Sequence, residues 1–431
     1  MKYDPADPQL FVRNRSRLAQ LLKPSSIAIF NANDVMPINA DGIHPFYQNA
    51  DLLYTAGIDQ EETILLLFPD AQREEEREIL FLREPTEHIA IWEGKKLTKE
   101  KATELSGIKK VMWSHQFDAV FHRLVQQAEN IYLNTNEHLR AEVSVESRDL
   151  RFIRKCKNSY PLHKYERLAP LMHQLRMIKD PEEIKIIQHA CDITEAGFRR
   201  VLNFIKPGVG EWEIEAEFIH EFTRRKSKGF AYGPIIASGE GAMCLHYIEN
   251  NKVCEDGELI LMDVAAEYGN WQSDLTRTVP VNGKFTDRQR DVYNSVLNVL
   301  RKCNDIMRPG MVHSEYQKQS VLFVEEELIK LGLVDAEEAK KQSEDRPLTK
   351  KYFMHGTSHH MGIDVHDVHL VDAPFEVGMV FTIEPGIYIP EENIAVRLEN
   401  DILIGENENI DMMANIPIEA DEIEALMAEN S

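Results

Sequence analysis

Three apolar, β-prone runs in the second half of the chain carry acids that strand chemistry would ordinarily keep at the surface. They are ELILMDVAAEYGNWQSDLTRTVPV with Asp263 and Asp274, VFTIEPGIYI with Glu384, and IAVRLENDILI with Arg397 and Glu399. Carboxylates in such runs are almost never buried without partners, so a fold that buries the runs must gather the acids or bring cations to them. The first run has two β-prone halves around a polar tip near Tyr268 and Gly269 and reads as an antiparallel hairpin. In that register Asp263 sits opposite Asp274, with Cβ atoms about 5 Å apart. Two such carboxylates repel. Without a cation one of them must take up a proton at neutral pH, whereas a pair of divalent ions about 3.5 to 4 Å apart suits bridging carboxylates. Taken alone, a pair of strand aspartates is better explained by edge or turn positions. Arg397 and Glu399, two residues apart and so on one strand face, could likewise form an ion pair of their own.

A histidine cluster lies just upstream. HGTSHHMGIDVHD places His355, His359, His360 and His366 among small residues, a density that surface decoration does not explain, although any single one could be a satisfied core histidine. Four acids and a histidine make an oxygen-rich donor set with few nitrogens, which favours hard or borderline ions such as Mn over a thiolate-loving site.

The rest of the sequence gives the frame. A length of 431 residues implies two or three domains. Short buried strands at 26–33, 62–68 and 78–82, with charge-rich, helix-like stretches such as AQREEERE between them, predict an α/β first domain. Asp180, Pro181 and Glu183 then form a strong helix start. Apolar or small residues recur from Ile184 to Ile205 along one face of the helix that follows. A weak repeat follows: helix, basic residue, Pro-Gly and second helix occur around Pro207 and again, after the capping box Thr286 to Gln289, around Pro309. Both copies lead into β-type sequence, which favours a duplicated α/β lobe over a chance match of helical hairpins. The expected domains are 1–172 and 173–431.

Charge and cysteine usage narrow the function. With 49 Lys plus Arg against 72 Asp plus Glu, the net charge of −23 repels phosphate backbones and anionic membranes, so neither nucleic acid nor membrane is an expected partner. The five cysteines are odd in number and without a CxxC pair, so a disulfide framework and a thiolate zinc site are both disfavoured. The amino-terminal residues lack the charged start and apolar run of a secretory signal, and no stretch approaches 18 apolar residues. A soluble cytoplasmic protein is expected.

The blocks CLHY (244–247), the Asp263 and Asp274 spacing, HGTSHHMGIDVHD, TIEPGIY and RLEND stand in the order found in the pita-bread metallopeptidases. The chain resembles their Xaa-Pro aminopeptidase (aminopeptidase P) branch, with prolidase a close relative. FYQNADLLYTAG and IWEGKKL, in the first domain, resemble the aminopeptidase P amino-terminal domain and tilt the choice away from prolidase. The resemblance implies an α/β (α+β) protein: a creatinase-like α/β domain followed by a pita-bread catalytic domain with an internal pseudo-twofold duplication. It implies that Asp263, Asp274, His359, Glu384 and Glu399 hold two divalent ions, usually Mn, with Asp274 and Glu399 bridging, and that a metal-bridging hydroxide attacks the scissile bond.

Glu384 is then also the general base, and His246 and His366 contact substrate and stabilise the developing oxyanion. Arg397 and Tyr388 orient the ligands, His355 lines the proline pocket, and Trp92 acts in the family's manner as a cover, from a neighbouring subunit. The implied substrates are peptides with proline in second position, and the implied assembly is a homodimer or homotetramer. Two positions depart from the family pattern: Tyr47 stands where Arg is usual and Asn400 where Asp is usual. The alternatives are a prolidase restricted to dipeptides and a pita-bread binding module without catalysis. Creatinase, which lacks a metal pair, does not account for the full ligand set.

Overall fold

The structure, a computed structural model, describes residues 3–141, 144–343 and 347–429. The outer bounds 1 and 431 of the expected domains lie outside these. The chain divides into two compact units, residues 5–176 and residues 177–431, the latter including the first four residues.

In the amino-terminal unit, β1 (Ser26–Asn31), β2 (Ile64–Leu67), β3 (Glu78–Leu82), β4 (Lys110–Trp113), β5 (Asn130–Leu133) and β6 (Lys164–Arg167) form one sheet in the order β4-β3-β2-β1-β5-β6. Parallel and antiparallel pairs are mixed: β1 runs parallel to β5 and antiparallel to β2. Alternation along the strands sorts the core, so that Ile27, Ile29, Ile64, Leu66, Ile79 and Phe81 share one cluster with Phe117, Phe121 and Phe152. The AQREEERE stretch is not a helix. Only a single 3₁₀ turn (Glu74–Glu76) fits in the short connection between the antiparallel strands β2 and β3.

The second unit opens with α1 (Pro181–Leu202). Its start is fixed as the sequence demands: Asp180 accepts from the Glu182 amide at 3.0 Å, and Glu183 accepts from the Asp180 amide at 2.9 Å. It packs on α2 (Glu211–Arg224), after which β7 (Ile235–Ser238), β8 (Leu259–Asp263) and β9 (Thr276–Pro280) form an antiparallel sheet in the order β9-β8-β7. The second half repeats the plan. α3 (Asp287–Ile306), capped by the Thr286–Gln289 box, packs on α4 (His313–Lys330), and β10 (Val380–Ile383), β13 (Asn400–Leu403) and β14 (Ile410–Asp411) form a second three-stranded sheet. Between β10 and β13 lies the hairpin of β11 (Gly386–Ile389) and β12 (Ile394–Arg397).

The expected register of the Asp263 hairpin is corrected. Asp263 lies opposite Thr276, two positions beyond Asp274. The chain turns at Gly269 and Asn270, both with positive φ (62° and 73°), one residue later than the polar tip at Tyr268 and Gly269 suggests. Two-residue turns with both centres at positive φ match the twist of the flanking strands, and Gly and Asn are the residues that tolerate that conformation. A shift of two keeps side-chain parity, so both aspartates still face the same side.

Candidate metal centre

The acids do not sit within strands, as the run-by-run reading suggests, but at strand ends. Asp263 closes β8, Asp274 precedes β9 by two residues, Glu384 follows β10 directly, and Glu399 sits between β12 and β13. Glu399 is joined to the other sheet by a single β-bridge to Thr276, its amide donating to the Thr276 carbonyl at 3.0 Å. That bridge brings Asp274 and Glu399 together although they are remote in sequence.

Donor atoms of Asp274, His359 and Glu399 all lie within 4.8 Å of one another. His359 Nε2 is 3.4 Å from Asp274 Oδ2 and 3.9 Å from Glu384 Oε1, while Nδ1 faces the His360 carbonyl at 3.2 Å. A side-chain hydrogen bond from Thr276 Oγ1 to Glu399 Oε2 (2.6 Å) and a backbone donation from Asp274 to Asp401 Oδ2 (2.9 Å) hold two of the acids in place. Asp263 Oδ2 accepts from Arg397 Nη2 at 2.7 Å, and its other oxygen is buried with no hydrogen-bond partner.

Electrostatics single out these groups. Burial, then the charges of Asp274 and Glu384, push Glu399 well above the usual carboxylate range, and burial lifts Glu384 to about 7 against the pull of His359. Asp274 is also raised, by burial and by Asp263, with His359 pulling the other way. Burial alone would depress His359, but Asp274 and Glu384 lift it to about 9. Carboxylates crowded until they resist ionisation, beside a histidine and an orphaned carboxylate oxygen, form a donor set that fits divalent metal.

Other sequence-predicted residues sort around this centre. Arg397 pairs with Asp263 and not with Glu399, and its Nη1 donates to Tyr388 Oη at 2.8 Å. Tyr388 Oη also meets His355 Nε2 at 2.9 Å, and burial with Arg397 nearby lowers His355 to about 4. The His366 ring lies 4.1 Å from that of His359, centroid to centroid. His246 is exposed in the loop after the 3₁₀ turn Gly239–Met243. Trp92 belongs to the amino-terminal unit, where it is 76% exposed.

Comparison with known proteins decides the family. The profile of metallopeptidase family M24 matches residues 185–406, and that of the aminopeptidase P amino-terminal domain matches residues 11–132. An Xaa-Pro aminopeptidase of Escherichia coli is 34% identical, with 97% of each chain covered. The chain belongs to metallopeptidase family M24. Among solved structures, one assigned to aminopeptidase P of Bacillus anthracis superposes with a TM-score of 0.92 at 33% identity, covering 99% of both chains. Zinc-substituted E. coli aminopeptidase P in complex with product does so at 0.88 and 31%, over 99% of this chain and all of the other. The M24 unit therefore has the pita-bread fold behind an aminopeptidase P amino-terminal domain, and this M24 protein is a hydrolase that uses divalent metal.

Two residues of the M24 centre escape a reading of the sequence. Tyr232 is surrounded by Asp263, Asp274 and Glu399 and hydrogen-bonds to Asp274; burial first, then those charges, push its phenol well above the usual range. It stands ahead of β7 in GFAYGPIIASG, where nothing local marks it. Asp401 is buried two residues beyond Glu399, and burial and Asp274 raise it strongly. The DIL of LENDIL reads as ordinary strand, so the only signal was one more acid in an apolar run.

Proposed function

We propose that this chain is an Xaa-Pro aminopeptidase with two divalent ions, for which the oxygen-rich donor set favours Mn, releasing the first residue from peptides whose second residue is proline. The observation that carries this is the convergence of Asp274, His359 and Glu399 within 4.8 Å. In this reading Asp263 and Glu384 would join Asp274, His359 and Glu399 in holding the ions. When bound, the metal pair polarises the scissile carbonyl and lowers the pKa of water at the site.

The chain's own groups do the rest. Glu384 accepts the proton of the attacking water and returns it to the leaving proline nitrogen. His366, packed on His359, and His246 donate to the oxygen that gains charge, each contributing about 3 kcal/mol to the transition state. Arg397 fixes Asp263 and ties it through Tyr388 to His355, which stays neutral at physiological pH and offers a face to the proline ring. Proline has a fixed φ and no amide hydrogen, so a site that grips a ring serves it better than one that pairs with an extended backbone. Trp92 covers the substrate, from a neighbouring copy in a homodimer or homotetramer; the exposure of Met36, Ile38, Ile91 and Trp92 supports association.

All five cysteines are free, four of them buried, which supports a cytoplasmic location. Among the described residues no helix is long and apolar enough to cross a membrane. The prolidase reading is disfavoured, since the E. coli relative matching 97% of the chain is an Xaa-Pro aminopeptidase. Hydrolysis of matched Xaa-Pro, Xaa-Pro-Yaa and Xaa-Ala-Yaa peptides tests the proposal. Cleavage of the proline tripeptide with Mn, and not of the alanine one, supports it; cleavage of the dipeptide alone makes the protein a prolidase.

A further inference from the structure

Lys179 and Asp367 form an ion pair at 2.6 Å in which each side chain is only 1% exposed, 188 positions apart in sequence. Removing two charges from water costs several kcal/mol per ion, and such pairs are commonly no more stabilising than apolar side chains of similar volume. Stability alone is a poor reason for this one. Its surroundings suggest another. Asp367 directly follows His366, and its amide donates to the His360 carbonyl at 2.8 Å, closing residues 360–367 into a loop whose ends are the neighbours of His359 and His366. The Asp367 carboxylate spends its second oxygen on the Val368 amide at 2.9 Å. On the other side, the backbone of Lys179 donates to the Gly378 carbonyl at 2.9 Å, and His360 Nε2 meets the Met177 carbonyl at 3.0 Å. The segment 177–179 is thus a fixed anvil to which the Lys179–Asp367 contact and the His360 imidazole fasten the loop, while the Gln272 amide and side chain hold its Gly362 and Ile363 carbonyls from the other side.

Gly362 shows how closely this is fitted. A Cβ there would fall inside contact distance of the Asp367 carboxylate and 2.5 Å from Lys179 Nζ, with no requirement for positive φ at that position. The glycine of the SHxxG motif therefore makes room for the ion pair, not for a turn.

We propose that the Lys179–Asp367 pair is a positioning device for catalysis: it sets the His359–His366 loop so that the His366 ring stands against His359 and points its donor at the substrate. This rests on the role given to His366 above. A displacement of about 1 Å in a positioned group can cost a hundredfold in rate. The test uses metal-loaded, full-length protein and the double variant Lys179→Met/Asp367→Leu, which replaces the pair by apolar side chains and removes both charges together, while buried Glu183 nearby keeps its hydrogen bonds from the Asp180 amide and Trp271 Nε1. The expected result is an unchanged bound-metal content and melting temperature, a kcat for an Xaa-Pro tripeptide reduced about a hundredfold, and a KM changed less than threefold. Wild-type kcat in that variant overturns the proposal. If the double variant does not fold, Gly362→Ala decides, since it shifts the pair without removing a polar group: lowered kcat with retained metal supports the proposal, and wild-type kcat defeats it. His366→Ala separates the two claims. Should it keep full turnover, the role of His366 is wrong; should it be inactive while the pair variants turn over normally, only the positioning claim falls.

Discussion

Buried acids are handled in opposite ways in the amino-terminal unit and at the candidate metal centre. In the amino-terminal unit Glu76, 4% exposed, receives two hydrogen bonds from Arg123 (2.7 and 3.1 Å), which hold it below the usual carboxylate range, and Asp51 receives one from Arg176 at 2.8 Å. At the metal centre Asp274, Glu384, Glu399 and Asp401 are all raised, although Asp367 and Glu221 elsewhere in the same unit are paired; of the arginines beside the centre, Arg397 is committed to Asp263 and Arg277 to the Thr276 and Glu399 carbonyls. An acid whose cation is encoded in the chain serves the architecture. A group of acids whose cation is missing from the chain is a site for an ion.

The comparison can be broken at several points. The largest effect belongs to the chemistry: Glu384→Gln should lower kcat/KM for an Xaa-Pro tripeptide by about a thousandfold, since it removes a general base, and steady-state kinetics check it. A fall below tenfold would return Glu384 to the ordinary buried acids. Next, binding to the folded state alone adds about 4 kcal/mol of stability at a thousandfold excess over Kd. Mn should therefore raise the melting transition of the catalytic unit and leave probes of the amino-terminal unit unmoved, as calorimetry and hydrogen exchange would show.

Asp149 sharpens the contrast because it is the exception in its unit. Burial lifts it to about 7 against a hydrogen bond from Asn31 Nδ2 at 2.8 Å and the charge of Arg148. A carboxyl whose folded pKa is raised lends full stability below its unfolded pKa near 4 and loses it as pH climbs to about 7. Asp149→Asn should therefore be neutral at pH 4 and stabilising by up to about 4 kcal/mol at pH 8, measured by urea denaturation at both pH values. Equal effects at the two pH values would contradict the assignment. The smallest effect is Arg123→Met. The arginine is half exposed, so loss of its pair with Glu76 should cost only about 1 kcal/mol, and a loss of activity there would undo the division of labour.

Much of this was written locally in the sequence. The Asp180 and Thr286 capping boxes announce α1 and α3 because a cap is settled within four residues. Four of the five candidate ligands stand out because acids in apolar runs conflict with their neighbours, and His359 because it lies in a cluster of histidines. What was not legible depends on chain folding over long distances. The sequence offers Glu399 as the natural partner of Arg397, yet β8 delivers Asp263 from 134 positions away. The register of the Asp263 hairpin turns on Gly269 and Asn270 sharing positive φ, a choice that a shift of one residue in the reading obscures. Tyr232 meets the Leu275 backbone and Asp274 only because β7 and β9 flank β8 in one sheet.

The most direct test of the central claim is calorimetric titration of metal-stripped protein with Mn, beside Asp274→Ala. The account predicts two equivalents bound per chain, with proton release as His359 gives up its proton, and loss of that binding in the variant. Absence of binding by the folded wild-type protein, or undiminished binding by Asp274→Ala, would contradict it.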